Sequence, residues 1–379
     1  MKKTIYIWLT IIAITTIIVS CAKINKITDS LTKPSARDVY EREFKNGDVA
    51  YQQWKAEYTA ALSDSIELTL PYLEKGTFNA PNISAYSYTI HLLEGQVLTA
   101  EVVRDSVNQR VFADFYEAAP TGFRHIASQK PEDNSFEYPI TATGTYKLIL
   151  QPEINAATNF YISIGIKPAF GFPVAGKGNS AMQSFWGYDR DGGARKHEGI
   201  DIFASRGTPV VAVTDGNIGF TGERGLGGKQ VWLRAGMFGP SIYYAHLDSI
   251  AVVDGMKVSA GDTLGFVGST GNAKGGAPHL HFGIYRNGAV DPHAYIYKIL
   301  KPEIPSLKKF SRSFKADAVK VKGATANLRK SPSTNAAAID TARANDKLQL
   351  LGEHGEWLHI KTMTGKKAFL HKSLASEVK

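Results

Sequence analysis

His279-Leu280-His281-Phe282-Gly283-Ile284-Tyr285 is the stretch on which the fold turns. Histidine alternates with apolar residues, so an extended strand directs both imidazoles to one face while Leu280, Phe282 and Ile284 enter a core. The two rings then stand about 7 Å apart along the strand, near enough to line one pocket without both binding one ion. Two histidines on a solvent face would show the same pattern, so neighbouring motifs decide. Upstream, His197-Glu198-Gly199-Ile200-Asp201 ends in Asp and carries Gly at its centre, which argues against a helical His-Glu-x-x-His zinc site. Flanked by Gly192-Gly193 and leading into Ile200 and Ile202, it reads as a turn entering a strand. There His197 and Asp201 can reach one ion only where the backbone bends, which Gly199 is expected to permit. Between the two motifs, Tyr243-Tyr244-Ala245-His246-Leu247-Asp248 again reads with period two.

These motifs stand in order with Gly-Thr-Pro-Val at 207–210, Asp215-Gly216, the Gly-rich run 258–271 and Val290-Asp291-Pro292. Together they resemble the lysostaphin-type (LytM-like) zinc metalloendopeptidases, which cut peptide cross-links of bacterial peptidoglycan. The resemblance covers about residues 170–297. It implies a largely antiparallel β-domain with its site in a groove, and one Zn2+ per chain held by His197, Asp201 and His281. It also implies that His246 and His279 flank the ion as catalytic groups, their division of labour left open. Two imidazoles and a carboxylate leave zinc a fourth position for water, as in catalytic rather than closed structural sites. His293 lies outside the motifs and reads as a structural or surface residue. The Gly222–Gly228 loop lacks the Gly-Lys-Ser/Thr ending of a phosphate loop and reads as a hairpin on the groove rim. The polar stretch 186–196 is expected to shape substrate access.

Outward from this domain (169–300), the class is mainly β. Residues 64–168 alternate with period two, as in Phe160, Ile162, Ile164 and Ile166, and predict a small antiparallel β-sandwich acting as an accessory module. Residues 35–63 read as one or two helices, opened by the capping pattern Ser35-x-x-Asp38 and carrying Tyr51, Trp54, Tyr58 and Leu62 at spacings of three and four. A Lys/Pro linker (301–317) leads to 318–379. There Ala326-Asn327-Leu328-Arg329, Glu356-Trp357-Leu358-His359-Ile360 and Ala368-Phe369-Leu370 resemble a bacterial SH3 domain, with Ala368-Phe369 where Gly-Trp is usual.

Charge divides along the same lines. The chain carries 44 Lys+Arg against 35 Asp+Glu, a formal +9. Residues 301–379 hold 16 against 7 and the first 300 hold 28 against 28, so the surplus lies in the C-terminal part. Such a tail suits an anionic wall polymer. No helix-turn-helix or zinc-knuckle pattern accompanies it, which argues against nucleic acid.

Met1-Lys2-Lys3 followed by an uncharged apolar run to Ser20 has the layout of a signal peptide (1–20), too short to span a bilayer. The single Cys of the chain, Cys21, excludes an internal disulfide. Ile18-Val19-Ser20-Cys21 resembles the lipobox of bacterial lipoproteins, which implies lipid attachment at Cys21 and a polar tether (21–34). Ala22 after Cys21 resembles sorting to the outer membrane of a Gram-negative bacterium, facing the periplasm. The expectation is thus a lipid-anchored zinc endopeptidase acting on peptidoglycan. Its rivals are a non-catalytic wall-binding or hydrolase-activating lipoprotein and an endopeptidase for Gly-rich proteins.

Overall fold

The computed structural model describes residues 29, 32–80, 82–106, 108–131, 133–300 and 302–378; the signal peptide and Cys21 lie outside the described residues. Helix Ala36–Glu41 starts at a reciprocal cap: the Ser35 hydroxyl accepts from the Asp38 amide, and the Asp38 carboxylate accepts from the Ser35 amide. Asp48 caps a second helix, Val49–Leu62. Its buried Trp54 donates to the Pro152 carbonyl at 2.8 Å. Arg37, also buried, donates to Asp114 and Gln151, both at 2.7 Å. These contacts fasten both helices to the sheet behind them.

That sheet runs Glu67–Leu68, Tyr86–Leu92, Gly144–Pro152, Val111–Ala119, Gly122–Ser128. Its first pair is parallel and the others antiparallel, a departure from the all-antiparallel expectation. A second sheet of Tyr72–Phe78, Thr158–Pro168, Gln96–Arg104 and Ser135–Pro139 packs against it, with Tyr88, Phe115, Leu148, Phe160, Ile162 and Ile164 buried between them.

The second sheet does not stop at Tyr72–Phe78. Lys75 pairs with Glu353 of strand Lys347–His354, so the C-terminal barrel prolongs it, and Leu351 and Phe369 join the sandwich core. At this seam Glu74 is fully buried. It accepts from the hydroxyls of Tyr72 and Tyr88, each at 2.7 Å, and from Nδ1 of His359 at 3.0 Å. Burial alone would raise the Glu74 carboxyl pKa, but His359 and the two hydroxyls hold it below the usual value. Around the rim, Lys367 meets Asp64 at 2.6 Å, Lys361 meets Glu57 at 2.5 Å and Lys330 meets Glu67 at 2.7 Å. Part of the cationic surplus of the tail is therefore matched within the molecule.

The chain from Val174 to Ile296 forms a body around a hydrophobic core of its own. Its main sheet runs Met182–Ser184, Ile200–Phe203, His279–Tyr285, Ser241–Ala245, Gly228–Arg234, Gly216–Arg224, Lys257–Val258, and a smaller sheet joins Pro209–Val211, Thr263–Val267 and Leu247–Ile250. Leu280, Phe282 and Ile284 are fully buried with Ile200, Ile202, Ile242 and Tyr244. The core face read from the period of two is the one the sheet buries. This body meets the sandwich where Tyr295 donates to Glu94 at 2.7 Å. The Tyr295 ring packs on Gly95, where a Cβ would fall 2.3 Å from it.

Candidate metal centre

Strand His279–Tyr285 is the hub of the site. Asp201 lies directly opposite His281 on one neighbouring strand, and Ala245 lies opposite it on the other. Partners directly opposite in an antiparallel ladder point to the same face, so Asp201 and His281 meet above the sheet. His197 arrives from the preceding turn, where its amide donates to the Tyr188 carbonyl at 2.8 Å. Nε2 of His197, Nδ1 of His281 and Oδ1 of Asp201 lie 3.0 Å from one another.

The spacing suits a metal. Tetrahedral zinc with bonds of about 2.0–2.1 Å separates its ligand atoms by about 3.3 Å, so three donors spaced at 3.0 Å can close on one ion with small adjustments. The donor chemistry fits as well. Nδ1 of His197 donates to the Phe185 carbonyl at 3.0 Å, since a carbonyl only accepts, and this leaves Nε2 as a bare lone pair. Burial raises the Asp201 carboxyl pKa, but the adjoining His197 and His281 outweigh it and hold the group well below the usual carboxylate range. Burial also depresses the His281 imidazole, against the upward pull of Asp201. Neutral imidazole and ionised carboxylate are the states that ligate zinc. Among the described residues, this is the group of His, Cys, Asp and Glu that could hold a metal ion.

Gly199 contributes by space. The backbone bends at Gly199 as anticipated, without a left-handed φ. A Cβ at 199 would lie 2.6 Å from the Phe282 carbonyl and 2.7 Å from the His281 ring. Glycine lets the turn lie flat against the ligand strand.

His246 and His279 complete the arrangement. The His246 ring centroid lies 5.0 Å from that of His279 and 5.8 Å from that of His281. Nδ1 of His246 donates to the Thr270 carbonyl at 2.9 Å, and Nδ1 of His279 donates to the Ala277 carbonyl at 2.8 Å. Each ring thus keeps a bare Nε2. Burial first, then the neighbouring His281 and His279, push the His246 imidazole down to about 4, so it is neutral near pH 7. The strand expected to run through His246 breaks there. Ser241–Ala245 belongs to the main sheet, Leu247–Ile250 to the smaller one, and His246 between them has φ +63°. Unbroken alternation would send His246 the way of Tyr244, into the core; the left-handed residue turns it to the groove instead.

The five residues open onto a groove of about 500 Å³. Its other lining residues include Arg190, Glu198, Leu226, Tyr243, Asn272 and Tyr285, and all come from within 190–285. Leu226 and Gly227 are the turn of the hairpin 216–234. Tyr243 and Tyr285 form an aromatic wall with Trp232, at ring distances of 4.5 and 5.2 Å from it. Sequence reasoning passed over them, although Tyr285 shares the parity of His281 and so had to share its face. Arg190 had no such signal: its Nη2 donates to Oδ2 of Asp201 at 2.8 Å and to the Ser184 hydroxyl at 2.5 Å.

Two family matches fall on these bodies. Residues 195–292 match peptidase family M23, and residues 324–376 match the bacterial SH3 domain. The chain thus carries an M23 peptidase domain and a bacterial SH3 domain. It is 45% identical over 94 residues to the DD-carboxypeptidase/endopeptidase Mpg of Neisseria meningitidis serogroup B, covering 25% of this chain and 21% of that protein. It is 35% identical over 138 residues to the L-Ala--D-Glu endopeptidase of Bacillus subtilis, covering 33% and 42%. It is 36% identical over 107 residues to the uncharacterized lipoprotein YgeR of Escherichia coli, covering 28% and 40%. The chain therefore spans between about a fifth and two fifths of the length of these relatives.

Proposed function

We propose that this protein is a zinc-dependent endopeptidase that hydrolyses peptide cross-links of bacterial peptidoglycan. The observation that carries the reading is the convergence of His197 Nε2, Asp201 Oδ1 and His281 Nδ1 within 3.0 Å of one another on the floor of an open groove. When bound, zinc lowers the pKa of a coordinated water to about 7 and polarises a carbonyl. The chain's own residues then handle protons and charge. His246, neutral near pH 7 and locked by the Thr270 carbonyl, offers Nε2 as a proton acceptor beside the ligands. His279, fixed by the Ala277 carbonyl and stacked on Phe203 at 5.0 Å, offers the second Nε2. Once protonated it can stabilise a developing oxyanion or pass its proton to the leaving amine. Tyr243 and Tyr285, which line the groove and are backed by Trp232, give an extended peptide an apolar surface.

The choice of peptidoglycan draws on the M23 match and on two relatives whose names state endopeptidase activity. A bacterial SH3 domain in the same chain agrees with a wall substrate. Attachment to the envelope by a lipid on Cys21 draws on the tetrad Ile18-Val19-Ser20-Cys21 and on likeness to a protein named a lipoprotein. Digestion of purified cross-linked muropeptides, with products identified by mass spectrometry, tests the activity. Wild type releases cleaved peptides while His281→Ala and His246→Ala do not; equal product from all three, or none from zinc-loaded wild type, overturns the reading. Growth with a labelled fatty acid tests the anchor: label on wild type and none on Cys21→Ala is the expected result.

A further inference from the structure

Behind the three candidate ligands lies a residue that the motifs do not include. Arg190 sits in the short hairpin Asp189–Arg190 and Arg195–Lys196, closed by Asp191, Gly192 and Gly193, all at positive φ. Two ion pairs, Arg195 to Asp191 and Lys196 to Asp189, both at 2.5 Å, staple that hairpin. Arg190 is the cation of the hairpin that reaches inward. Its Nη2 has two N–H groups, one directed at Oδ2 of Asp201 and one at the Ser184 hydroxyl. Ser184 stands opposite Asp201 in the sheet, and its hydroxyl lies 3.5 Å from Nδ1 of His197. Guanidinium and hydroxyl thus form a brace behind the carboxylate and one imidazole.

We infer that Arg190 is a positioning residue: by occupying Oδ2 of Asp201 it leaves Oδ1 as the free oxygen facing His197 and His281, so that Asp201 would hold a metal through one oxygen. The inference rests on the zinc reading above. A carboxylate can hold a metal with one oxygen or with both. An outer oxygen tied to a guanidinium is withdrawn from the ion, and the side chain loses the freedom to swing. The groups that orient ligands in this way typically matter 10–100-fold for metal affinity or activity. Arg190 also lines the groove, which suggests a direct hold on a substrate carboxylate as the competing role. The geometry disfavours it, because both N–H groups of the nitrogen nearest the site already have partners.

The test measures zinc affinity by competition with a chelator, together with steady-state kinetics on a defined muropeptide, for wild type, Arg190→Met and Arg190→Lys. The Met variant is expected to bind zinc 10–100-fold more weakly and to lose kcat with little change in KM. Lys, whose three donors can reach the same two oxygens, is expected to recover most of the affinity; such rescue separates positioning from a general loss of fold. Unchanged zinc affinity in Arg190→Met, or a rise in KM alone, overturns the inference and leaves the zinc reading intact. Wild type that binds no zinc overturns both.

Discussion

Gly199 and His246 show how single residues shape the groove, in opposite ways. At Gly199 the missing Cβ is the functional feature, because any side chain strikes the Phe282 carbonyl and the His281 ring. Gly199→Ala is expected to destabilise the domain by about 1–3 kcal/mol through overpacking and to weaken zinc uptake, read by chelator competition. A normal affinity would show that the turn can retreat without moving His281. His246 instead holds a costly left-handed backbone, of the kind that persists at functional sites when its surroundings enforce it. Its amide donates to the Gly227 carbonyl at 2.8 Å and its ring to Thr270. Since His246 lies outside the ligand triad, His246→Ala should keep one zinc per chain while cleavage falls about 10²–10⁴-fold. His281→Ala should lose the zinc itself. Metal analysis alongside the digestion assay separates the two.

Strands carry these residues into place, and here much was legible in advance. The alternation in 279–285 sorts Leu280, Phe282 and Ile284 from His279 and His281 because the pleat has a period of two, a purely local property. Turn chemistry was legible too, in Ser35-x-x-Asp38 and in the glycines of the hairpin 216–234. Strand Lys367–His371 was harder to interpret. Ala368-Phe369 stands where its family usually has Gly-Trp, and the reason is spatial: Phe369 is fully buried, with its ring 5.1 Å from His359 and 6.5 Å from Tyr72 of the sandwich. Phe369→Ala is expected to cost about 3–5 kcal/mol, as for a large aromatic lost from a core. Its effect should extend beyond the barrel, and hydrogen exchange in strand Thr158–Pro168 is the readout. Faster exchange confined to residues 318–378 would mean that the two modules fold independently.

At the scale of the whole molecule, the described residues gather into two bodies in a nested order. Residues from both ends of the described chain share one core through Leu351, Phe369 and the buried Glu74–His359 contact, and the peptidase body lies between them in sequence. Calorimetry should therefore show the sandwich and barrel melting together and the peptidase body separately. Zinc at 100 times its Kd should raise only the second transition, by about 2.7 kcal/mol; a shift in both would mean that the bodies are coupled. The sequence by itself determined the β class, the faces of the strands and the order of the motifs, because period, turn propensity and spacing are local properties of the chain. Only the tertiary structure decided that donors from His197 and His281, 84 positions apart, stand 3.0 Å from each other. It also turned His246 out of its strand, set Arg190 behind Asp201 and matched Lys361 and Lys367 of the tail with Glu57 and Asp64. Charge and ligation act through space, and neither a count of lysines nor the spacing of histidines shows what the folded chain brings opposite them.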